Sequence, residues 1–138
     1  MKRNLLFFAL FAFCTGTRSF GQEILLPDQI FTIKVTEKNV SGKTESMPMD
    51  ELVMKANQIS TTFSLKNAFP KVTYTVTQDA APNTTTLLFT AESTNSNKDI
   101  LKWSGTIKGN KVEGKAERIH NGKSAGEYAF SGLLKTKK

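Results

Sequence analysis

Residues 101–134 read LKWSGTIKGNKVEGKAERIHNGKSAGEYAFSGLL and carry the clearest structural pattern of the chain. Two turn signals, Gly109-Asn110 and Asn121-Gly122, divide this segment into three runs in which apolar or small residues alternate with polar ones. A period of two is typical of antiparallel strands that have one face in a core and the other in water. The segment is therefore predicted to form a three-stranded meander.

The turns set the register of this meander. A two-residue turn at Gly109-Asn110 places Trp103 opposite Ala116, and we expect a three-residue loop over 121–123. Large apolar and very small residues then share the inner face: Leu101, Trp103, Ile107, Val112, Tyr128, Phe130 and Leu134, with Gly105, Gly114, Ala116 and Gly132. The glycines have two explanations, tight bending beneath flat-lying aromatic rings or space for a ligand beside an aromatic wall.

Similar alternation extends over most of the preceding chain. The predicted strands cover 29–40, 43–48, 50–56, 58–66, 71–78, 84–93, 100–108, 111–120 and 124–135, with further turn signals at Ser41-Gly42, Ala56-Asn57 and Pro82-Asn83. No segment shows a convincing helical period, so 58–66 is predicted as a strand. Short consecutive strands favour a single all-β domain, an antiparallel up-and-down β-barrel of about eight strands closed by its first and last strands. A two-sheet β-sandwich is the alternative.

One motif within the meander is similar to a known pattern. The hairpin Trp103–Gly114 fits W-x-G-x-(apolar)-x-G-(D/N)-x-(apolar)-x-G, and the strand 127–132 ends in F-x-G. Both resemble small secreted bacterial lipocalin-like β-barrel proteins of unassigned function, over residues 50–135. The motif consists of turn glycines and core aromatics, so the resemblance implies a lipocalin-like fold and no active-site residue.

The first 21 residues have the order of a secretory signal peptide. Lys2 and Arg3 precede the apolar run 5–13, and Ser19-Phe20-Gly21 supplies small residues at a cleavage site before Gln22. The apolar run is too short to span a membrane. We therefore expect cleavage near Gly21/Gln22, a mature domain over 22–138 without a transmembrane segment, and a secreted or periplasmic location.

The leader also holds the single cysteine, Cys14. Lipidation at Cys14 is disfavoured because bulky Phe13 stands where lipoprotein signals carry a small residue. The mature domain would then contain no disulfide, no thiol nucleophile and no thiolate metal site.

Charge composition argues against a nucleic-acid partner. Three of the 19 basic residues, Lys2, Arg3 and Arg18, lie in the leader, so 16 remain against 12 acidic residues and give the mature domain a net charge of about +4. Arg118 is the single mature arginine. Nucleic-acid binding favours arginine and stacking aromatics on one face, so the lysines are interpreted as a solvated barrel exterior.

The residues that usually carry catalysis form no constellation in the sequence. His120 is the single histidine and lies beside a predicted turn. Residues 95–99 (NSNKD) begin like a calcium loop, but Ile100 and Thr106 stand where an EF-hand requires glycine and a bidentate acid. We therefore expect no catalytic residue, no metal site and no cofactor, and the chain is not predicted to be an enzyme.

Two functions fit this domain better than catalysis. The first is a non-enzymatic binding module for a small apolar or amphipathic ligand, lined by Trp103, Tyr128 and Phe130 with Tyr74 and Phe63 opposite. The second is a protein-interaction module, an inhibitor or accessory subunit of a cell-envelope complex, which requires an exposed apolar patch or a free strand edge.

Overall fold

Nine strands and one short helix make up the computed structural model, which describes residues 24–78 and 85–136. The predicted leader, 1–21, and the turn signal Pro82-Asn83 lie outside the described residues. The elements are β1 (Gln29–Lys38), β2 (Thr44–Ser46), β3 (Asp50–Lys55), β4 (Gln58–Thr61), α1 (Thr62–Lys66), β5 (Val72–Gln78), β6 (Leu87–Thr94), β7 (Ile100–Lys108), β8 (Lys111–His120) and β9 (Lys123–Leu134).

The strands form one antiparallel sheet that closes on itself. From β3 to β9 consecutive strands are neighbours, β1 pairs with both β2 and β3, and β1 also pairs with β9, from Phe31 opposite Leu134 to Lys38 opposite Glu127. Eight strands close the barrel. The short β2 is additional: it pairs with residues 36–38 at the C-terminal end of β1, along the same edge where β3 pairs with residues 29–33. The predicted up-and-down barrel closed by its first and last strands is confirmed, and the sandwich alternative is wrong.

The register of the C-terminal meander agrees with the sequence except at one loop. Trp103 lies opposite Ala116, and Ala116 opposite Tyr128, as predicted. The second connection is a two-residue turn, because His120 pairs with Lys123 and both turn residues, Asn121 and Gly122, have positive φ. The predicted three-residue loop is therefore wrong. A β-bulge, in which Ala125 is the extra residue, restores the predicted register for the rest of β9.

The prediction of a strand over 58–66 is wrong beyond Thr61. The chain turns into α1, and Thr61 caps this helix reciprocally with Ser64: the Ser64 amide donates to Thr61 Oγ1 at 3.0 Å, and the Thr61 amide donates to Ser64 Oγ at 2.9 Å. Asp50 Oδ1 accepts from the Thr62 amide at 3.0 Å and Oδ2 from the Phe63 amide at 2.9 Å. These bonds satisfy N–H groups that a helix start leaves without partners.

The core lies inside the barrel and consists of the inward residues of the strands together with Phe69. Side chains with 0 % or 1 % exposure come from strands all round the barrel: Phe31, Ile33, Leu52, Met54, Ile59, Phe89, Leu101 and Val112. Aromatic rings occupy the space over two of the inward glycines. An ideal Cβ on Gly105 would lie 2.6 Å from Phe89 Cζ, and one on Gly114 would lie 2.9 Å from Phe130 Cζ. At these two positions the structure shows packing rather than open space.

Candidate functional site

One end of the barrel is covered by irregular structure rather than by strands. We call it the covered end; it comprises the connection 47–49, helix α1, the segment 67–70 and the loop 95–99. The ladder between β4 and β5 contains only two residue pairs, so the wall is short on this side. Segment 67–70 lies over the gap, where Asn95 Nδ2 donates to the Asn67 carbonyl at 3.2 Å and Ser93 Oγ donates to the Pro70 carbonyl at 2.9 Å.

A small cavity of about 30 Å³ lies beneath this cover. Four of the five aromatic residues predicted to line a ligand site border it: Phe63, Trp103, Tyr128 and Phe130. Their rings lie close together, with centroids 4.8 Å apart for Phe63 and Tyr128 and 6.0 Å apart for Trp103 and Phe130. Met47 and Pro48 form the solvent side of the lining. Contact with a ligand at these residues stays a prediction.

Tyr74, the fifth predicted lining residue, is not brought to this cavity. It is buried on β5 opposite Ala91. Burial raises the pKa of its phenol, and the negative charge of Asp28 raises this pKa further. Asp28 accepts from the amide of Ala56 in the β3–β4 turn, at the end of the barrel opposite the covered end. The pKa of the Tyr74 phenol is therefore influenced by a charge at the end of the barrel opposite the covered end.

The volume of the cavity limits what it holds in this closed form. One water molecule takes a share of about 30 Å³ in the liquid, and ligand pockets usually span about 300–1,000 Å³. Larger depressions of about 690–890 Å³ lie on the outer face of the sheet and are open to solvent. A ligand larger than water enters the aromatic cavity only if connection 47–49 or helix α1 moves.

An ionic cluster around one buried carboxylate stands beside the cavity; it consists of Asp99, in the loop before β7, and of Arg118 and His120 at inward positions of β8. The Asp99 side chain is only 4 % exposed. Its Oδ2 accepts from Arg118 Nη2 at 2.7 Å, and its Oδ1 lies 2.5 Å from His120 Nδ1. These hydrogen bonds, from His120 first and Arg118 second, lower the pKa of Asp99. The Arg118 guanidinium also lies 5.8 Å from the centre of the Phe69 ring, within the range of a cation–π contact.

Tyr128 connects this cluster to the cavity. It lies opposite Glu37 across the β1–β9 ladder, and both Glu37 and Arg118 act on the pKa of its hydroxyl, which Glu37 raises and Arg118 lowers. Burial, followed by the charge of Glu37, raises the pKa of Tyr128 to about 12. The phenol therefore stays protonated at neutral pH, so that it is a hydrogen-bond donor rather than a nucleophile.

Sequence reasoning missed the ionic cluster, although strand parity contained the signal. Asp99 shares the inward parity of Leu101 and Trp103, and Arg118 and His120 share that of Ala116. An arginine and a histidine at consecutive inward positions of one strand predict an acidic partner on a neighbouring strand. The His120 side chain is 55 % exposed, and its contact with Asp99 is the feature that sequence reasoning did not predict.

Comparisons with family models, with curated proteins and with solved structures give no match to this chain. Within 24–78 and 85–136, no helix is long and apolar enough to cross a membrane. The same residues contain no group of three or more His, Cys, Asp or Glu side chains placed to hold a metal ion. The site is therefore interpreted from its own geometry.

Proposed function

We propose that this chain is a non-enzymatic binding module that takes a small apolar or amphipathic ligand at the covered end of its barrel. One observation carries the proposal: aromatic side chains from α1, β7 and β9 meet around one internal cavity whose cover is not part of the sheet. Eight-stranded barrels are wide enough to hold one small ligand, as in lipocalins.

Binding requires the cover to open, because the closed cavity is about the size of a water molecule. The cover is suited to this movement. Connection 47–49 interrupts the ladder along β1, and α1 is a single turn held by its caps and by Asp50. Elements with few ladder hydrogen bonds open at lower free energy than the strands beside them. The ligand then replaces contacts of Met47, Pro48 and Phe63 with its own.

Trp103 offers a direct test because it is the single tryptophan and borders the cavity. A brominated hexan-1-ol quenches tryptophan emission on contact, so titration of the mature protein should give saturable quenching. Ala116→Val adds two methyl groups at the cavity wall, and we expect it to weaken binding at least about fivefold, since overpacking a filled site costs about 1–3 kcal/mol and about 1.4 kcal/mol is a factor of ten. Ala91→Val is the matched control, at an inward position of β6 outside the lining.

Linear, non-saturating quenching in the unmodified protein would contradict the proposal. An Ala116→Val variant that binds as tightly as the Ala91→Val control would also contradict it. Native mass spectrometry of the protein purified from its own host's envelope fraction would give the mass of the natural ligand and the processing site. We expect a chain that starts at Gln22 and carries an extra mass that is lost on denaturation. A bare chain with a co-eluting protein would favour the interaction module instead.

A further inference from the structure

The charges around the aromatic cavity are all negative or already paired. Among the residues that the structure describes, Asp50 is the one charged residue in the cavity lining, and none of them in the lining is a lysine, arginine or histidine. Glu37 stands at the rim, one inward position beyond the lining residue Val35 and opposite the lining residue Tyr128. Asp99, the third carboxylate nearby, is neutralised by Arg118.

Neither Asp50 nor Glu37 has such a cationic partner. Among the residues that the structure describes, no side-chain cation lies within 4.0 Å of either carboxylate. Asp50 accepts from backbone amides, those of Glu51, Thr62 and Phe63, and these neutral donors do not cancel the charge of its carboxylate. Glu37 lies opposite Tyr128 in the β1–β9 ladder, and the phenol of Tyr128 is neutral at pH 7. The covered end therefore carries two carboxylates that form no direct ion pair with the described residues, next to four aromatic rings.

From this arrangement, and resting on the proposed function, we infer that the ligand is an organic ammonium ion whose cationic end lies against the aromatic rings, between Asp50 and Glu37. The negative faces of Trp, Tyr and Phe rings attract cations, and ammonium groups are bound in proteins by such aromatic walls. The two carboxylates add attraction, because both residues are partly buried and charge–charge interactions near a protein surface are stronger than in bulk water. A carboxylate-bearing ligand would meet repulsion at the same place.

The positive net charge of the domain does not oppose this selectivity. Its lysines are spread over the solvent-facing positions of the strands, as at Lys34, Lys102 and Lys115. Interactions between exposed charges are screened over about 8 Å at physiological ionic strength, whereas partly buried charges are screened much less. The two nearby carboxylates therefore determine the sign of charge that the cavity prefers.

Three probes of similar chain length that differ in the charge of the end group test the inference: hexylammonium, hexan-1-ol and hexanoate. Binding is measured by calorimetry and by the emission of Trp103. We expect hexylammonium to bind at least about tenfold more tightly than hexan-1-ol, and hexanoate to bind most weakly. Glu37→Gln, nearly isosteric, should bring the ammonium affinity down towards that of the alcohol and leave the alcohol affinity unchanged. Glu127→Gln is the matched control, because Glu127 neighbours Tyr128 on β9 but faces solvent.

The outcomes separate this inference from the proposed function. Equal affinities for ammonium and alcohol would overturn the cationic selectivity while binding itself stood. Equal weakening of all three probes by Glu37→Gln, in a variant with unchanged circular dichroism, would assign Glu37 a structural role and also overturn the inference. Binding of none of the probes, with no change in Trp103 emission, would remove the proposed function and this inference together.

Discussion

Tyr74 and Tyr128 are the two tyrosines of the chain, and burial raises the pKa of both phenols. In the unfolded chain they ionise near their ordinary pKa of 10.0, whereas folded Tyr128 keeps its proton to about 12. Stability is therefore unaffected by Tyr128 below pH 10 and falls as the pH rises from 10 towards 12. Ultraviolet titration should show almost no phenolate near pH 10 in the folded protein. A full two-tyrosine transition at pH 10 without unfolding would contradict this burial.

Asp99 has the opposite effect on stability, because its pKa is lowered in the folded state by hydrogen bonds from His120 and Arg118. Its contribution is present above the ordinary value of 3.8 and is lost as the pH falls below that value towards the folded pKa. We expect Asp99→Asn to lower the urea midpoint at pH 7 and to flatten the loss of stability between pH 4 and 2. Glu113→Gln, at an exposed position of β8, is the control and should change neither.

At the scale of the element, α1 depends on its caps because five residues cannot hold a helix by propensity. Thr61→Ala removes the hydroxyl that accepts from the Ser64 amide inside the barrel end. Loss of a threonine cap costs about 1 kcal/mol, so the free energy of unfolding should fall by roughly that amount in urea. Thr62→Ala changes an exposed neighbour and should leave stability within about 0.5 kcal/mol. Equal effects of the two substitutions would show that the cap does not stabilise α1.

Helix α1 also shows where prediction from the sequence stops. The strands and most turns could be predicted because alternation and glycine–asparagine pairs are local signals. Residues 58–66 also alternate, but Asp50, distant in sequence, accepts two amides of the new helix and stabilises the change of direction. The ionic cluster depends in the same way on neighbouring strands, since Asp99 and Arg118 meet only through the β7–β8 register. Trp103, Tyr128 and Phe130 border the cavity because they share the inward parity of β7 and β9, whereas Phe63 reaches it from α1 and not from the predicted strand.

At the scale of the whole molecule, Gly105 and Gly114 leave the space inside the barrel that two aromatic rings of the core occupy. The two residues face each other across β7 and β8, and the rings of Phe89 and Phe130 occupy the space above them. An ideal Cβ on Gly114 would collide with the Ser104 carbonyl and would lie 2.5 Å from Gly105 Cα and 2.9 Å from Phe130 Cζ. Two of these three neighbours are backbone atoms, which cannot move without bending the strands.

Gly114→Ala should therefore lower the free energy of unfolding by about 3 kcal/mol, the upper end of the usual overpacking cost. Because Phe130 both covers Gly114 and packs its ring against Trp103, the strain should also reach the aromatic cavity and shift the emission of Trp103 in the folded variant. Ser104→Ala, at an exposed position of the adjoining strand, is the control for both measurements. A Gly114→Ala variant as stable as the control, with unchanged Trp103 emission, would contradict this prediction. It would show that the backbone of β7 and β8 can move to accommodate a Cβ at Gly114, and that packing there is not coupled to the covered end.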